Sequence, residues 1–373
     1  MSGSDLSPLR TRLDAIDKQI AELLTERFEI AKEVGAVKKR NNAPITDTVR
    51  EQALIQKLEQ QIDDPLLKEY IEPIYRSVIA SCKAPQQLFA YDTLPYSQIG
   101  IIGLGLIGGS IAKALRAKNA DLPIYSLLKN PPRDTKTITK EVDMRTLVET
   151  CDLVVIASPI DTIISIAHSI ASYASGRTQR LVVIDVASVK SSISEEFMKM
   201  TNAQVEFVPT HPMAGSEKSG YKASKASLFL HNPWVITPHE HNKNSTVDTL
   251  KDVIKYLGGT PVVSDAVAHD RNVAVVSHLV FLVSVYMFAF IATDYEEIME
   301  LAGSGFETTT RLASGNIEMH DQIFKHNTDN ILQSLQDFIK FINSHRIDTS
   351  DSLDFFTAYK TSRDEYIEKK YTR

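Results

Sequence analysis

The residues whose types and spacing suit chemistry lie in a few short stretches. Gly103-Leu104-Gly105-Leu106-Ile107-Gly108 follows the apolar run Ile99–Ile102 and precedes the helical pattern Ile111-Ala-Lys-Ala-Leu115. Between a strand and a helix, the first glycine of such a motif permits a tight turn and the second lets backbone approach a pyrophosphate. The third lets helix pack on strand, while amides at the helix start meet the phosphates. That is the chemistry of a bound dinucleotide. Three further apolar runs end in polar segments: Ser158-Pro159 after residues 153–157, Asp185-Val-Ala-Ser188-Val-Lys190 after residues 181–184, and Pro209-Thr-His211-Pro after residues 205–208. In a parallel sheet such ends border one crevice. A neutral imidazole at His211 can take a proton from a substrate hydroxyl while hydride leaves for a nicotinamide, and Ser188 can hold both groups in line. Read locally, a loop-capping role for His211 stands equally.

The end of the second strand bears on the cofactor, because an acid there binds the ribose hydroxyls of NAD. Ser126-Leu-Leu-Lys129-Asn130 stands there instead, with Arg133 beyond. This tolerates a 2′-phosphate, so the expected cofactor is NAD or NADP, with a slight lean to NADP; Lys129 reads equally as a solvated surface charge. Later in the chain, His269-Asp270 and Ser277-His278 share one helical pattern, and Arg311 follows the hydroxyl-rich turn Gly303-Ser-Gly-Phe-Glu-Thr-Thr-Thr. An arginine there can clamp a carboxylate in a bidentate pair; structural polar residues at a helix packing surface give the same pattern. Near the N-terminus the cations Arg10, Arg27, Lys38 and Arg50 recur beside Asp47, Glu51 and Gln86. They can enclose a small dianion, although the solvated face of an amphipathic helix is the commoner source of such a set.

The elements that must position these groups follow from apolar periodicity. Residues 7–40, about 46–62 and about 66–81 carry apolar side chains at helical spacing, broken by Asn41-Asn42-Ala43-Pro44 and Asp63-Asp64-Pro65. Three helices form no obvious closed globule, which suggests packing against a second copy. Residues 83–97 read as a linker. From residue 98 apolar runs alternate with helical patterns, with Trp234-Val-Ile236 as the last run, so an α/β doubly wound, Rossmann-like parallel sheet is expected. After residue 264 only helical patterns remain. The expected division is an all-helical domain over 1–90, a dinucleotide-binding domain over 97–263 and a helical substrate-binding and dimerisation domain over 264–373. The most apolar stretch, residues 273–292, is interrupted by Ser277, His278 and Ser284 and reads as a buried helix rather than a membrane span.

Composition narrows the function classes. A formal charge of −6 over 373 residues argues against a general nucleic-acid binder. The 2 cysteines, Cys82 and Cys151, suggest neither a disulfide framework nor a cysteine-based metal site, and no metal is expected. With no apolar signal at the N-terminus, a cytoplasmic protein acting on small molecules is expected.

Taken together, these motifs resemble two known families. Leu9-Arg10, Asp17, Leu24-Thr-Glu-Arg27, Val34-Gly-Ala-Val-Lys38 and Asp47-Thr-Val-Arg50-Glu51 are similar to the all-helical chorismate mutases. GLGLIGGS, DVASVK, HPMAGSEKSG, HD followed by SHL, and TRLASGN are similar to the prephenate dehydrogenases, and the whole resembles the fused enzymes of bacterial tyrosine biosynthesis. The resemblance implies that Arg10 (from a partner chain), Arg27 and Arg50 hold the two carboxylates of chorismate. It places Asp47 and Glu51 at the hydroxyl side, and Lys38 and Gln86 at the ether oxygen. For the dehydrogenase it implies His211 as base, Ser188 as the group orienting base and substrate, Arg311 on a prephenate carboxylate, and Lys190, Glu217, Asp270 and His278 lining or gating the pocket. A homodimer is implied as well.

Three positions depart from the families: Cys82 where serine is usual, Phe281 where a second histidine follows Ser-His-Leu-Pro, and Glu307 where a basic residue is frequent. Two other readings remain open: a dehydrogenase preferring arogenate with a regulatory, non-catalytic helical module, and a nicotinamide-binding sensor.

Overall fold

The computed structural model describes residues 6–41, 43, 46–88, 91, 93–127, 137–200, 202–347 and 351–372. Its contacts divide the chain into two units, 1–92 with 367–373, and 93–366.

The first unit is built on α1 (Ser7–Arg40), α2 (Thr48–Gln60) and α3 (Pro65–Leu88). Asp47 caps α2 by accepting from the Arg50 amide at 3.0 Å, and Asp64 accepts from the Leu66 amide at 2.9 Å at the start of α3. Gly35 lets α1 and α3 approach, since a Cβ there would sit 2.8 Å from the Gln86 Cα. Among the described residues of this unit, only Ala31, Ile55, Ile79 and Cys82 are buried apolar side chains, while Leu9, Leu13, Ile16, Ile20 and Leu23 lie exposed along α1. The helices therefore enclose no core of ordinary size, as their pattern led one to expect.

In the second unit, β1 (Ile99–Ile102), α4 (Leu106–Lys118), β2 (Ile124–Leu127), β3 (Lys140–Glu141), α5 (Met144–Thr150), β4 (Leu153–Ile156), α6 (Ile160–Tyr173), β5 (Leu181–Asp185), α7 (Ser191–Lys199) and β6 (Val205–Val208) follow one another. They form a parallel sheet in the order β3-β2-β1-β4-β5-β6. Strands β1, β4, β5 and β6 are buried along their whole lengths, which explains their continuous apolar runs.

The run at residues 234–236 departs from expectation. It belongs to β8 (Pro233–Ile236), in a second sheet between β7 (Thr210–Pro212, antiparallel to it) and β9 (Thr260–Val263, parallel). The reason lies at β6, an edge strand. His239 Nε2 and Asn242 Nδ2 sit 2.9 and 2.8 Å from the Phe207 carbonyl, so side chains satisfy an edge that another strand would otherwise take. His211 thus lies within a strand of its own. Helix α8 (Asn244–Tyr256) joins β8 to β9.

The remainder is helical: α9 (Ala266–Val273), a π turn over Ala274–His278, α10 (Leu279–Asp294), α11 (Ser304–Thr310), α12 (Ile317–His326), α13 (Thr328–Ser344) and α14 (Ser352–Thr372). The expectation of a buried apolar helix is not met. Val275, Val276, Val280, Tyr286, Met287, Phe288 and Phe290 are exposed, and Leu279 and Ser284 are the buried residues of α10. By length and composition the 29-residue run Ala266–Asp294 is able to cross a membrane. A helix apolar on every side but packed on one leaves its other faces for a further surface to cover.

Candidate active sites

The glycine loop sits at the C-terminal ends of β1 and β4, neighbours in the sheet. Gly103 has φ 94°, and a Cβ there would lie 2.5 Å from the Ala157 carbonyl oxygen; at Gly108 it would lie 2.0 Å from the Gly103 carbonyl oxygen. Both positions exclude any side chain. Gly105 differs: a Cβ there would meet nothing within 4 Å. Protein packing does not require this glycine; the open space above it, at the uncapped start of α4, fits a pyrophosphate against first-turn amides. Leu104 is buried beneath the loop, Leu106 and Ile107 form the half-buried first turn of α4, and Ser158 Oγ lies 3.4 Å from the Ile102 carbonyl. Pro159 starts α6. Lys129, Asn130 and Arg133 lie outside the described residues.

Across the strand ends, His211 is buried, and its Nδ1 is 2.9 Å from His269 Nε2. His269 Nδ1 is in turn 2.8 Å from Asp270 Oδ1. The Asp270 carboxylate also accepts the Lys190 amide at 2.7 Å and the Ser191 amide at 2.8 Å. Burial would push Asp270 upward, but hydrogen bonds from His269, Ser191 and Lys190 outweigh it and hold the carboxyl below its ordinary range. An ionised Asp270 only accepts, so His269 donates to it from Nδ1. With His269 neutral, its bare Nε2 accepts from His211 Nδ1–H and the free lone pair is on His211 Nε2. Burial, then the nearby His269, Lys190 and His278, hold the His211 pKa well below that of ordinary imidazole, so the ring stays neutral and able to accept. His269 as the link in this relay is not legible from spacing. The adjacent His-Asp pair was its only signal.

Two expected pocket residues have other work. Lys190 is fully buried; its ammonium pairs with Asp185 and donates to the Thr210 carbonyl at 2.8 Å. Asp185 also accepts the amides of Thr210 (3.1 Å) and Ala187 (2.9 Å), and Trp234 Nε1 donates to Thr210 Oγ1 at 3.0 Å. Lys190 thereby ties β7, and with it His211, to the end of β5. Asp270, read as a pocket residue, is the anchor of the relay. Half-buried Ser188 lies between Ala187 and Lys190, whose amides are both tied to carboxylates.

His278 is buried on the π turn. Its Nδ1 is 3.3 Å from Asn327 Nδ2, which donates to the Asp270 carbonyl at 2.8 Å, and its Nε2 is buried without a hydrogen-bond partner among the described residues. Burial brings its pKa down to about 4. Glu217 and Arg311 meet at 2.8 Å, with the arginine side chain 55% exposed. Phe281 stacks on His320 of α12, ring centroids 3.4 Å apart, so an imidazole does stand beside the residue that departs from the family pattern. Glu307 is exposed on α11.

In the first unit, Arg27, Lys38, Asp47, Arg50, Glu51 and Gln86 line one cavity of about 260 Å³, with Ala31 and Ile79 among its apolar walls. Six of the seven expected residues are thus brought together; Arg10 is exposed on α1 and does not line it. Cys82 and Lys83 join the set. The Cys82 sulfur accepts from Arg27 Nη1. Gln86 Oε1 is buried with no partner among the described residues, an acceptor that a ligand donor or a water would satisfy.

Comparison with known proteins agrees with this arrangement. Residues 9–87 match the family model for chorismate mutase type II, 111–263 that for the prephenate dehydrogenase nucleotide-binding domain, and 265–355 that for the prephenate dehydrogenase dimerization domain. Prephenate dehydrogenase of Bacillus subtilis is 29% identical over 275 residues, 71% of this chain and 74% of that protein. The T-protein of Haemophilus influenzae is 23% identical over 74% of this chain and 67% of its own length. The crystal structure of prephenate dehydrogenase from A. aeolicus in complex with hydroxyphenyl propionate and NAD+ has TM-score 0.65 and 26% identity, covering 74% of this chain and 99% of that one. With a type II mutase unit in front and both dehydrogenase domains behind it, the chain belongs to the family of bifunctional chorismate mutase and prephenate dehydrogenase enzymes.

Proposed function

We propose that this chain rearranges chorismate to prephenate in its N-terminal helical domain (1–90). The dinucleotide-binding domain (97–263) and the helical domain (264–373) then oxidatively decarboxylate prephenate to 4-hydroxyphenylpyruvate with NAD or NADP. The observation that carries the dehydrogenase reading is the Asp270–His269–His211 relay, which leaves one imidazole lone pair free in the unit that also carries the glycine loop. Bound there, the nicotinamide ring supplies the hydride acceptor. His211 Nε2 takes the proton of the ring hydroxyl, with the ring held in line through His269 by Asp270. The C–H electron pair of the carbinol carbon departs as hydride. The bond to the ring carboxylate then breaks, its electrons complete the aromatic ring, and the oxygen recovers a proton as phenol. Ser188 orients the hydroxyl. An exposed, solvent-screened pair such as Arg311–Glu217 is weak, so a substrate carboxylate can displace Glu217 from the arginine as it binds.

The mutase reaction needs no nucleophile, only restraint and electrostatics. Arg27 and Arg50 take the carboxylates, with Arg10 of a second copy. Lys38 and Gln86 face the ether oxygen as negative charge grows there. Asp47 and Glu51 face the hydroxyl. A cytoplasmic homodimer follows: a second copy covers the exposed apolar residues of α10, in a region similar to a dimerization domain, and those of α1.

Assays of chorismate loss, and of reduced-cofactor absorbance with prephenate or arogenate and NAD or NADP, test the reading. Activity on both chorismate and prephenate is expected. Persistence of chorismate supports the regulatory-module reading, and absence of reduced cofactor under every combination sinks the dehydrogenase. Gly108→Ala should abolish cofactor binding, measured by quenching of protein fluorescence or by calorimetry, because the added methyl would collide with the Gly103 carbonyl. Mutase activity should be retained in that variant; unchanged cofactor affinity would refute the loop assignment.

A further inference from the structure

We infer that Lys83 is a positioning residue of the mutase site, holding the Glu51 carboxylate where it can accept the substrate hydroxyl without repelling the substrate. The inference rests on the chorismate reading above. Lys83 Nζ lies 2.8 Å from Glu51 Oε1 and 2.9 Å from Oε2, a pair gripped at both oxygens and joining α3 to α2. The side chains are only 23% and 25% exposed, and both line the cavity. Glu51 Oε1 is also 3.4 Å from the Asp47 amide, so the carboxylate is fixed from two directions.

The charge of the lining gives this pair its function. Facing the cavity are Arg27 and Lys38 from α1, Asp47, Arg50 and Glu51 from α2 and its cap, and Cys82 and Lys83 from α3. Its four cations and two carboxylates leave a formal balance of two positive charges, which matches a dicarboxylate. Without Lys83 the balance falls to one, and Glu51, with Asp47 the second carboxylate of the lining, loses the cation paired with it. Glu51 suits a hydroxyl donor as a ligand only while a cation offsets its charge, and Lys83 touches it at both oxygens. The sequence motifs gave no hint of this, because Lys83 and Glu51 lie on different helices.

The test is steady-state mutase kinetics on the full-length chain. Lys83→Met should raise KM for chorismate about tenfold, the worth of one charge-assisted hydrogen bond, with kcat changed less than about threefold. Lys83→Arg should recover most of the loss. Glu51→Gln with Lys83→Met should be no worse than Glu51→Gln alone, because a neutral amide needs no counter-cation. Helical circular dichroism and prephenate oxidation serve as folding controls. An unchanged KM in Lys83→Met, a loss confined to kcat, or additive effects in the double variant would each overturn the inference. If the unsubstituted protein fails to convert chorismate, the mutase reading falls and this inference with it.

Discussion

Replacing His211 with asparagine is expected to slow prephenate turnover by about 10²- to 10⁴-fold, the range for losing a positioned general base, while KM changes little. Asparagine keeps a hydrogen-bonding group toward His269 but supplies no basic lone pair. Asp270→Asn should act in the same direction through the protons: an amide at that position no longer dictates the His269 tautomer, and the lone pair at His211 Nε2 is no longer assured. Large loss of affinity with turnover preserved would make His211 a binding residue. The pH profile supplies an independent check. His211 must be neutral to act as base, and its folded pKa is depressed, chiefly by burial. Dehydrogenase activity should therefore persist as pH falls through about 6.5, the ordinary imidazole value, and be lost only below it. Stability follows the same sign. Histidines that resist protonation when folded contribute stability that is fully present above the unfolded pKa and lost as pH falls, for His278 between about 6.5 and its folded value of about 4. Denaturant unfolding at a series of pH values measures this.

Lys190→Met is the substitution expected to damage folding most. It leaves Asp185 buried with no counter-cation, at a cost of about 3–5 kcal/mol. Lost dehydrogenase activity should accompany a large fall in melting temperature for the second unit, with mutase activity surviving. Removing Asp185 as well should not restore stability fully, because the Thr210 and Ala187 amides would then lose their acceptor. A fall of less than about 1 kcal/mol in denaturant titration would show that Lys190 is not the tie described.

These expectations separate what is legible in the chain from what is not. Local patterns were sufficient for the first two helices, for the continuous apolar strands and for the glycine loop, because each depends on neighbours in sequence: periodicity, a cap, a tight turn; the third helix was read too short, since α3 continues through the expected linker to Leu88. Residue type and order were also enough to nominate His211, Ser188, Arg311 and the cationic set around Arg27. Composition could not say which faces become covered. The run around residues 273–292 is apolar enough to be either core or interface, and only packing shows that much of it is left exposed.

Nor could spacing distinguish two buried charges of different purpose. Lys190 and His211 both follow strands and both suit a catalyst, yet Asp185 encloses the first while His269 and Asp270, far along the chain, set the protons of the second. In the first unit, likewise, Lys83 reads as one more surface lysine until α3 brings it against Glu51 on α2. The sequence by itself determined most of the elements, the glycine turn after β1 and the kinds of side chain available. Tertiary structure alone decided which of them are partners, because proton position and charge compensation depend on separations of about 3 Å between residues far apart in the chain.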